Sequence, residues 1–204
     1  MNNDQEKISY IIGRQIGSDF RGQSMDISFD SFAQGAKSAY LGEESEIGQE
    51  EATRIMTAFQ AQMQEAAMKI QEEMGQQNIE EGKAFLEENK KREGVEVTAS
   101  GLQYLKLENG QGKSPSLNDE VEVHYEGTLI DGTVFDSSYQ RGETISFPVS
   151  GVIPGWTEAL QLMKEGDTWE LVIPSEIAYG AAGAGGAIGP NAVLKFKVEL
   201  IKVL

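Results

Sequence analysis

Cysteine is absent and histidine occurs once in this 204-residue chain. Disulfides and thiolate metal sites are therefore excluded, and so is a zinc site of several histidines within one chain. A surplus of basic charge is missing as well. The formal net charge is −16, which argues against nucleic acid and against anionic membrane surfaces as partners. No stretch approaches the roughly 18 apolar residues of a membrane span. The opening Met1-Asn2-Asn3-Asp4-Gln5-Glu6-Lys7 lacks the basic region and apolar run of a secretory signal. A cytoplasmic protein is expected, or a periplasmic one where a leader has been removed.

Proline is missing from the first half. All five prolines and both tryptophans lie after residue 93, with 15 of the 23 glycines, whereas six of the seven methionines lie before it. Charge does not divide in this way: residues 1–93 hold 10 basic and 18 acidic side chains and residues 94–204 hold 7 and 15, so each part carries −8. The boundary near Glu93-Gly94 is structural rather than electrostatic. Three segments are expected: a helical region over 1–47, a long helix over 48–93 and a sheet domain over 94–204.

The first half reads as helix throughout. Ile8, Ile11, Ile12, Ile16 and Phe20 share one face of a helix from about Asp4 to Arg21, on which Gly13 and Gly17 would let a second helix approach closely. A second helix fits Asp30 to Leu41, started by Ser28 or Asp30 and stopped by Gly42. A third runs from near Gly48 to about Arg92, with Ala52, Ile55, Phe59, Met63, Ala66, Ile70 and Met74 stepping along it. Only Gly75 and Gly82 weaken it, at about 1 kcal/mol each. At 1.5 Å per residue it would reach roughly 65 Å, and its polar end from Gly75 to Arg92 is expected to stand in water as a rod. Some 70 residues of amphipathic helix bury too little surface alone. Residues 1–74 are therefore expected to pair with a second copy, against the plainer reading of the methionine stripe as a core within one chain.

The second half reads as β with one helix. Leu102–Leu107, Val121–Tyr125, Thr144–Val149, Thr168–Ile173 and Val193–Lys202 are strand candidates, with Leu194, Phe196, Val198 and Leu200 on one face of the last. Ile130-Asp131-Gly132-Thr133 makes a turn. Pro154 and Gly155 start a short helix on which Trp156, Ala159, Leu160 and Met163 recur at helical spacing. About five antiparallel strands wrapped around that helix give an α+β domain.

Conventional catalytic groups are scarce. His124 has no second histidine to act with and reads as structural. Ser137 and Ser138 beside Asp136 would need His124 across the sheet to form a triad. The glycine-rich run from Gly180 to Pro190 lacks the Lys-Ser/Thr ending of a phosphate loop and reads as a rim. What remains is an apolar set: Tyr125, Phe135, Ile145, Phe147, Val152, Ile153, Trp156, Tyr179, Ile188 and Phe196, with Asp136, Arg141 and the tyrosine hydroxyls among them. Such a mixture suits a neutral ligand with one or two carbonyls.

Four motifs stand in order: Val123-His124-Tyr125-Glu126-Gly127, Gly132-Thr133-Val134-Phe135-Asp136-Ser137-Ser138, Val152-Ile153-Pro154-Gly155-Trp156 and Ala178-Tyr179-Gly180. Together they resemble the FKBP family of peptidyl-prolyl cis-trans isomerases. The helical first half resembles the Mip-like bacterial branch, in which a dimerising helical domain carries the isomerase on a long helix. The resemblance implies an isomerase needing no cofactor and no metal, acting on proline-containing peptides and unfolded or partly folded proteins. Its homodimer would form through the N-terminal helices and add chaperone activity, and macrolide inhibitors would be ligands of the pocket. Catalytic roles would fall to Tyr125, Phe135, Asp136 and Tyr179. Trp156 would be the floor, and Arg141, Ile145, Phe147, Val152, Ile153, Ile188 and Phe196 would complete substrate binding. The Ile153 N–H and the Tyr179 hydroxyl would bind substrate carbonyls. Ile145, Ile177 and Ala187 depart from the family's bulkier side chains, implying a wider rim. The alternative is a chaperone, or a module that grips a proline motif without turnover of consequence.

Overall fold

A computed structural model describes residues 3–23 and 25–204. The chain forms two compact units, one up to Gln62 and one from Met63 to Leu204.

The first unit holds helices α1 (Asp4–Gly22) and α2 (Phe29–Leu41) and the start of α3 (Gln49–Asn89), which continues into the second unit. Local chemistry sets these boundaries. Asn3 caps α1 by accepting from the Glu6 N–H at 2.8 Å, and Ser28 caps α2 through the Ser31 N–H. Gly42 ends α2 in the left-handed conformation at φ 69°, where a side chain would be strained. Phe20 meets Phe32 edge-on at 5.5 Å between centroids. Yet no described residue up to Gln62 is buried. On the stripe of α3, Ile55, Ile70 and Met74 are exposed, which counts against the rival reading of a core within one chain.

The second unit carries a sheet with β1 (Val95–Val97), β2 (Gln103–Glu108), β3 (Glu120–Leu129), β4 (Val134–Ser137), β5 (Ile145–Pro148), β6 (Thr168–Ile173) and β7 (Leu194–Val203). The order is β1-β2-β6-β7-β3-β4, every pairing antiparallel. β5 pairs with the first half of β3, over Glu120 to Val123, while β4 takes its second half. Two helices belong to this unit besides the end of α3: the single turn α4 (Ser138–Arg141) and α5 (Pro154–Leu162). Alternation along β7 places Leu194, Phe196, Val198 and Leu200 against α5, which returns Trp156, Ala159, Leu160 and, just past its end, Met163. Gly155 is required at the start of α5, since a Cβ there would lie 2.5 Å from Ile173 Cγ2.

The end of α3 does not stand in water. Gly75, Gly82 and Asn89 are buried, because they face the sheet unit. A Cβ on Gly82 would come within 2.7 Å of Val193, and one on Gly75 within 3.2 Å of Asn191. Asn78 donates to the Pro190 carbonyl at 2.7 Å, and Asn89 to the Gln103 side chain at 2.8 Å. Gln103 in turn donates to the Leu86 carbonyl at 3.0 Å. The expected rod is corrected on this ground: glycines clear the space for contact, and amides satisfy polar groups that the contact removes from water.

Candidate functional site

Above the start of α5 lies a hollow of about 440 Å³ lined by Tyr125, Phe135, Asp136, Ile145, Phe147, Gly151, Val152, Ile153, Trp156, Tyr179 and Phe196. Its floor is the Trp156 indole, only 4% exposed. Three rings stand around it edge-on: Tyr125 at 5.4 Å, Phe196 at 5.2 Å and Phe147 at 5.7 Å. Phe135 meets Phe196 edge-on at 5.6 Å. Edge-to-face contact is the favourable geometry for such rings and fixes their orientation. Gly127 on β3 makes this packing feasible, because a Cβ there would sit 2.7 Å from both Phe135 and Phe196. The rim is open, with Tyr179 41% and Ile145 38% exposed.

One wall is charged. Asp136 on β4 accepts from the Tyr125 hydroxyl through one oxygen and from Arg141 of α4 through the other. Arg141 also donates to the Tyr125 hydroxyl at 3.1 Å and lies over its ring. Burial pushes the Asp136 carboxyl up, but hydrogen bonds from Tyr125 and Arg141 and the guanidinium charge outweigh it, so it titrates below the ordinary carboxylate range. Burial and the bond to Asp136 raise the Tyr125 phenol, against the opposing pull of Arg141. The carboxylate thus stays ionised with both oxygens engaged, a fixed charge rather than a proton acceptor.

Two donors on the walls remain open. Among the described residues, neither the Ile153 N–H nor the Tyr179 hydroxyl donates to a protein acceptor. Ile153 precedes Pro154 and is not part of any strand, so its N–H has no ladder to join.

Of the sequence-predicted set, the hollow gathers Tyr125, Phe135, Asp136, Ile145, Phe147, Val152, Ile153, Trp156, Tyr179 and Phe196. Arg141 stands behind Asp136 rather than on the lining. Ile188 does not stand on the lining: it is 8% exposed, packs in the core cluster that also holds Trp156 and Phe196, and pairs with Ala184 across the glycine-rich loop. Ala187 likewise faces a different groove, beside Met74, Leu129 and Ile130. Gly151 lines the hollow and was missed; its placement between Pro148 and Pro154 was the available signal. His124 does reach Ser138, at 2.7 Å, but Ser138 is fully buried and also bonds the Tyr125 backbone N–H and carbonyl. That serine ties α4 to β3 and offers no exposed nucleophile. No group of three or more His, Cys, Asp and Glu able to hold a metal occurs among the described residues.

A family model described as FKBP-type peptidyl-prolyl cis-trans isomerase matches residues 111–201, and one described as the domain amino terminal to it matches residues 5–105. The peptidyl-prolyl cis-trans isomerase Mip of Coxiella burnetii is 46% identical over 100% of this chain and 88% of its own length. The outer membrane protein MIP of Legionella longbeachae is 42% identical over 100% and 87%. Among solved structures, that of FkpA from Escherichia coli is 38% identical with a TM-score of 0.76, covering 100% of this chain and 98% of that one.

Proposed function

The chain belongs to the FKBP-type peptidyl-prolyl cis-trans isomerase family, and we propose that it turns X–Pro bonds in the hollow above Trp156 by removing water from the amide. Isomerase activity follows from membership. The observation that carries it is an apolar hollow with two unengaged donors and one fixed carboxylate.

Rotation about X–Pro faces a barrier of about 18–20 kcal/mol from amide resonance. The planar amide is polar and holds water on its carbonyl, whereas the twisted amide has lost conjugation and needs that water less. A ring-lined hollow therefore disfavours the planar form more than the twisted one, and each 1.36 kcal/mol of difference is tenfold in rate. Phe135, Phe147 and Phe196 with Trp156 hold the proline ring. The Ile153 N–H and Tyr179 hydroxyl bind flanking carbonyls, fixing the ends of the bond that turns. Asp136, held by Tyr125 and Arg141, sets a negative charge beside the rotating amide. Asp136→Ala and Phe135→Ala are each expected to lower kcat/KM on a proline tetrapeptide at least tenfold, about 1.4 kcal/mol or more, with the circular dichroism spectrum unchanged. Full activity in both would remove them from the mechanism.

The exposed apolar faces of α1 and α2 support a homodimer through the N-terminal helices. Two isomerase units in one dimer would hold an unfolded chain at raised effective concentration, which supports chaperone activity besides turnover. Macrolide ligands suit the same hollow, with weaker grip at the small Ile145 rim. No described helix is long and apolar enough to cross a membrane. A relative named as an outer membrane protein lends the cytoplasmic expectation no support and favours a location beyond the inner membrane.

A further inference from the structure

We propose that Asn78, on the long helix, is a positioning residue for the isomerase site, acting through a single peptide unit on Tyr179. This rests on the reading above that the Tyr179 hydroxyl binds a substrate carbonyl.

The Pro190–Asn191 peptide is held on both sides. Its carbonyl accepts from the Asn78 side chain at 2.7 Å, across 112 residues of sequence. Its N–H donates to the Gly180 carbonyl at 2.8 Å. Gly180 directly follows Tyr179, whose side chain lines the hollow. A bond to the carbonyl polarises the same peptide and strengthens the bond its N–H makes. The helix therefore reaches the site through one planar group.

The surroundings require close helix contact at this point. Asn191 is the one non-glycine among the described residues with positive φ, at 56°, a conformation that needs outside support. Gly189 lies so near that a Cβ on it would come within 3.0 Å of both Asn78 Nδ2 and Met74 Sδ. Gly75, one turn before Asn78, leaves 3.2 Å between its would-be Cβ and Asn191 Nδ2. Between the two anchors, the loop carries glycines at positive φ at positions 183, 185 and 186, and its own bracing is the Ala184–Ile188 pair, which bonds neither Tyr179 nor Pro190. Without the grip on Pro190, nothing else from the helix bonds this peptide, and Tyr179 would sample more orientations.

The test uses the full chain with Asn78→Ala, which favours helix and removes the donor, and Asn78→Asp, which keeps the shape but cannot donate. Each is expected to raise KM on a proline tetrapeptide about fivefold, the scale of one lost hydrogen bond, while leaving kcat within about twofold. Combined with Tyr179→Phe, neither should add to the effect of Tyr179→Phe alone. Amide exchange should accelerate in peptides covering 179–191 and stay unchanged elsewhere. An unchanged KM, additive effects or exchange accelerated throughout the unit would each overturn the proposal, the last marking a purely structural residue. If Tyr179→Phe alone leaves KM untouched, the carbonyl-binding role of that hydroxyl fails; local acceleration at 179–191 would still support positioning by Asn78, and its absence would overturn it.

Discussion

Up to Gln62, Ile8, Ile11, Ile12, Phe29 and Tyr40 are each more than half exposed; from Met63 onward, Leu102, Val121, Val123, Met163, Leu194 and Leu200 are wholly buried. Both regions have amphipathic elements with clear periodicity. They differ in whether the chain itself supplies the second apolar surface. β7 finds α5 within the same unit, whereas between α1 and α2 the ring contact is a single edge, Phe20 on Phe32. A stripe of apolar residues thus reports that something will cover it, and leaves open whether the cover is in the same chain.

That contrast can be broken in graded ways. The largest effect is expected for Leu160→Ala, which empties a side chain only 1% exposed; about 3 kcal/mol of stability should be lost in denaturant unfolding followed by Trp fluorescence. In the first unit, replacing Ile8, Ile11 and Ile12 together by serine should leave that unfolding transition in place. Sedimentation should instead show monomer, and activity should fall severalfold on a refolding protein and be kept on a tetrapeptide. A dimer that survives would show that another face pairs. Gly82→Ala is expected to destabilise by about 1 kcal/mol, because crowding against Val193 outweighs the helix propensity gained; a stabilised variant would mean that α3 stands off the sheet. The smallest effect concerns pH. The Asp136 carboxyl titrates below its ordinary value in the fold, so its contribution is present above the unfolded value of about 3.9 and lost as pH falls through the lower folded value. Activity should accordingly be level from pH 8 to 5 and decline only below about 4.

Much of this was legible beforehand. α1 and α2 begin and end within a residue of expectation, α2 because Ser28 and Gly42 are strong local signals. The strands β2, β3, β6 and β7, six to ten residues long, and the four-residue β5 lie on expected segments. β1, β4 and the single turn α4 were not foreseen, and α4 exists because Ser137 caps it. The hollow was nearly complete in the sequence: ten of its eleven lining residues were in the expected set, and seven of those fall on the four motifs. Ile188 lies off the lining, and an aliphatic residue on a glycine-rich loop reads the same in sequence whether it faces a ligand or the core.

The contact of α3 with the sheet unit was illegible for a sharper reason. It is made where side chains are missing, at Gly75 and Gly82, and by the amides Asn78 and Asn89. Such residues carry no hydrophobic signal, and a helix read alone scores them as flaws. By itself the sequence determined the elements, their caps and the aromatic set around Trp156, because these depend on neighbours a few residues apart. Only the tertiary structure decided that the polar end of the long helix is packed and that it reaches Pro190, because that contact joins residues more than a hundred positions apart and is complementary in shape rather than in hydrophobicity.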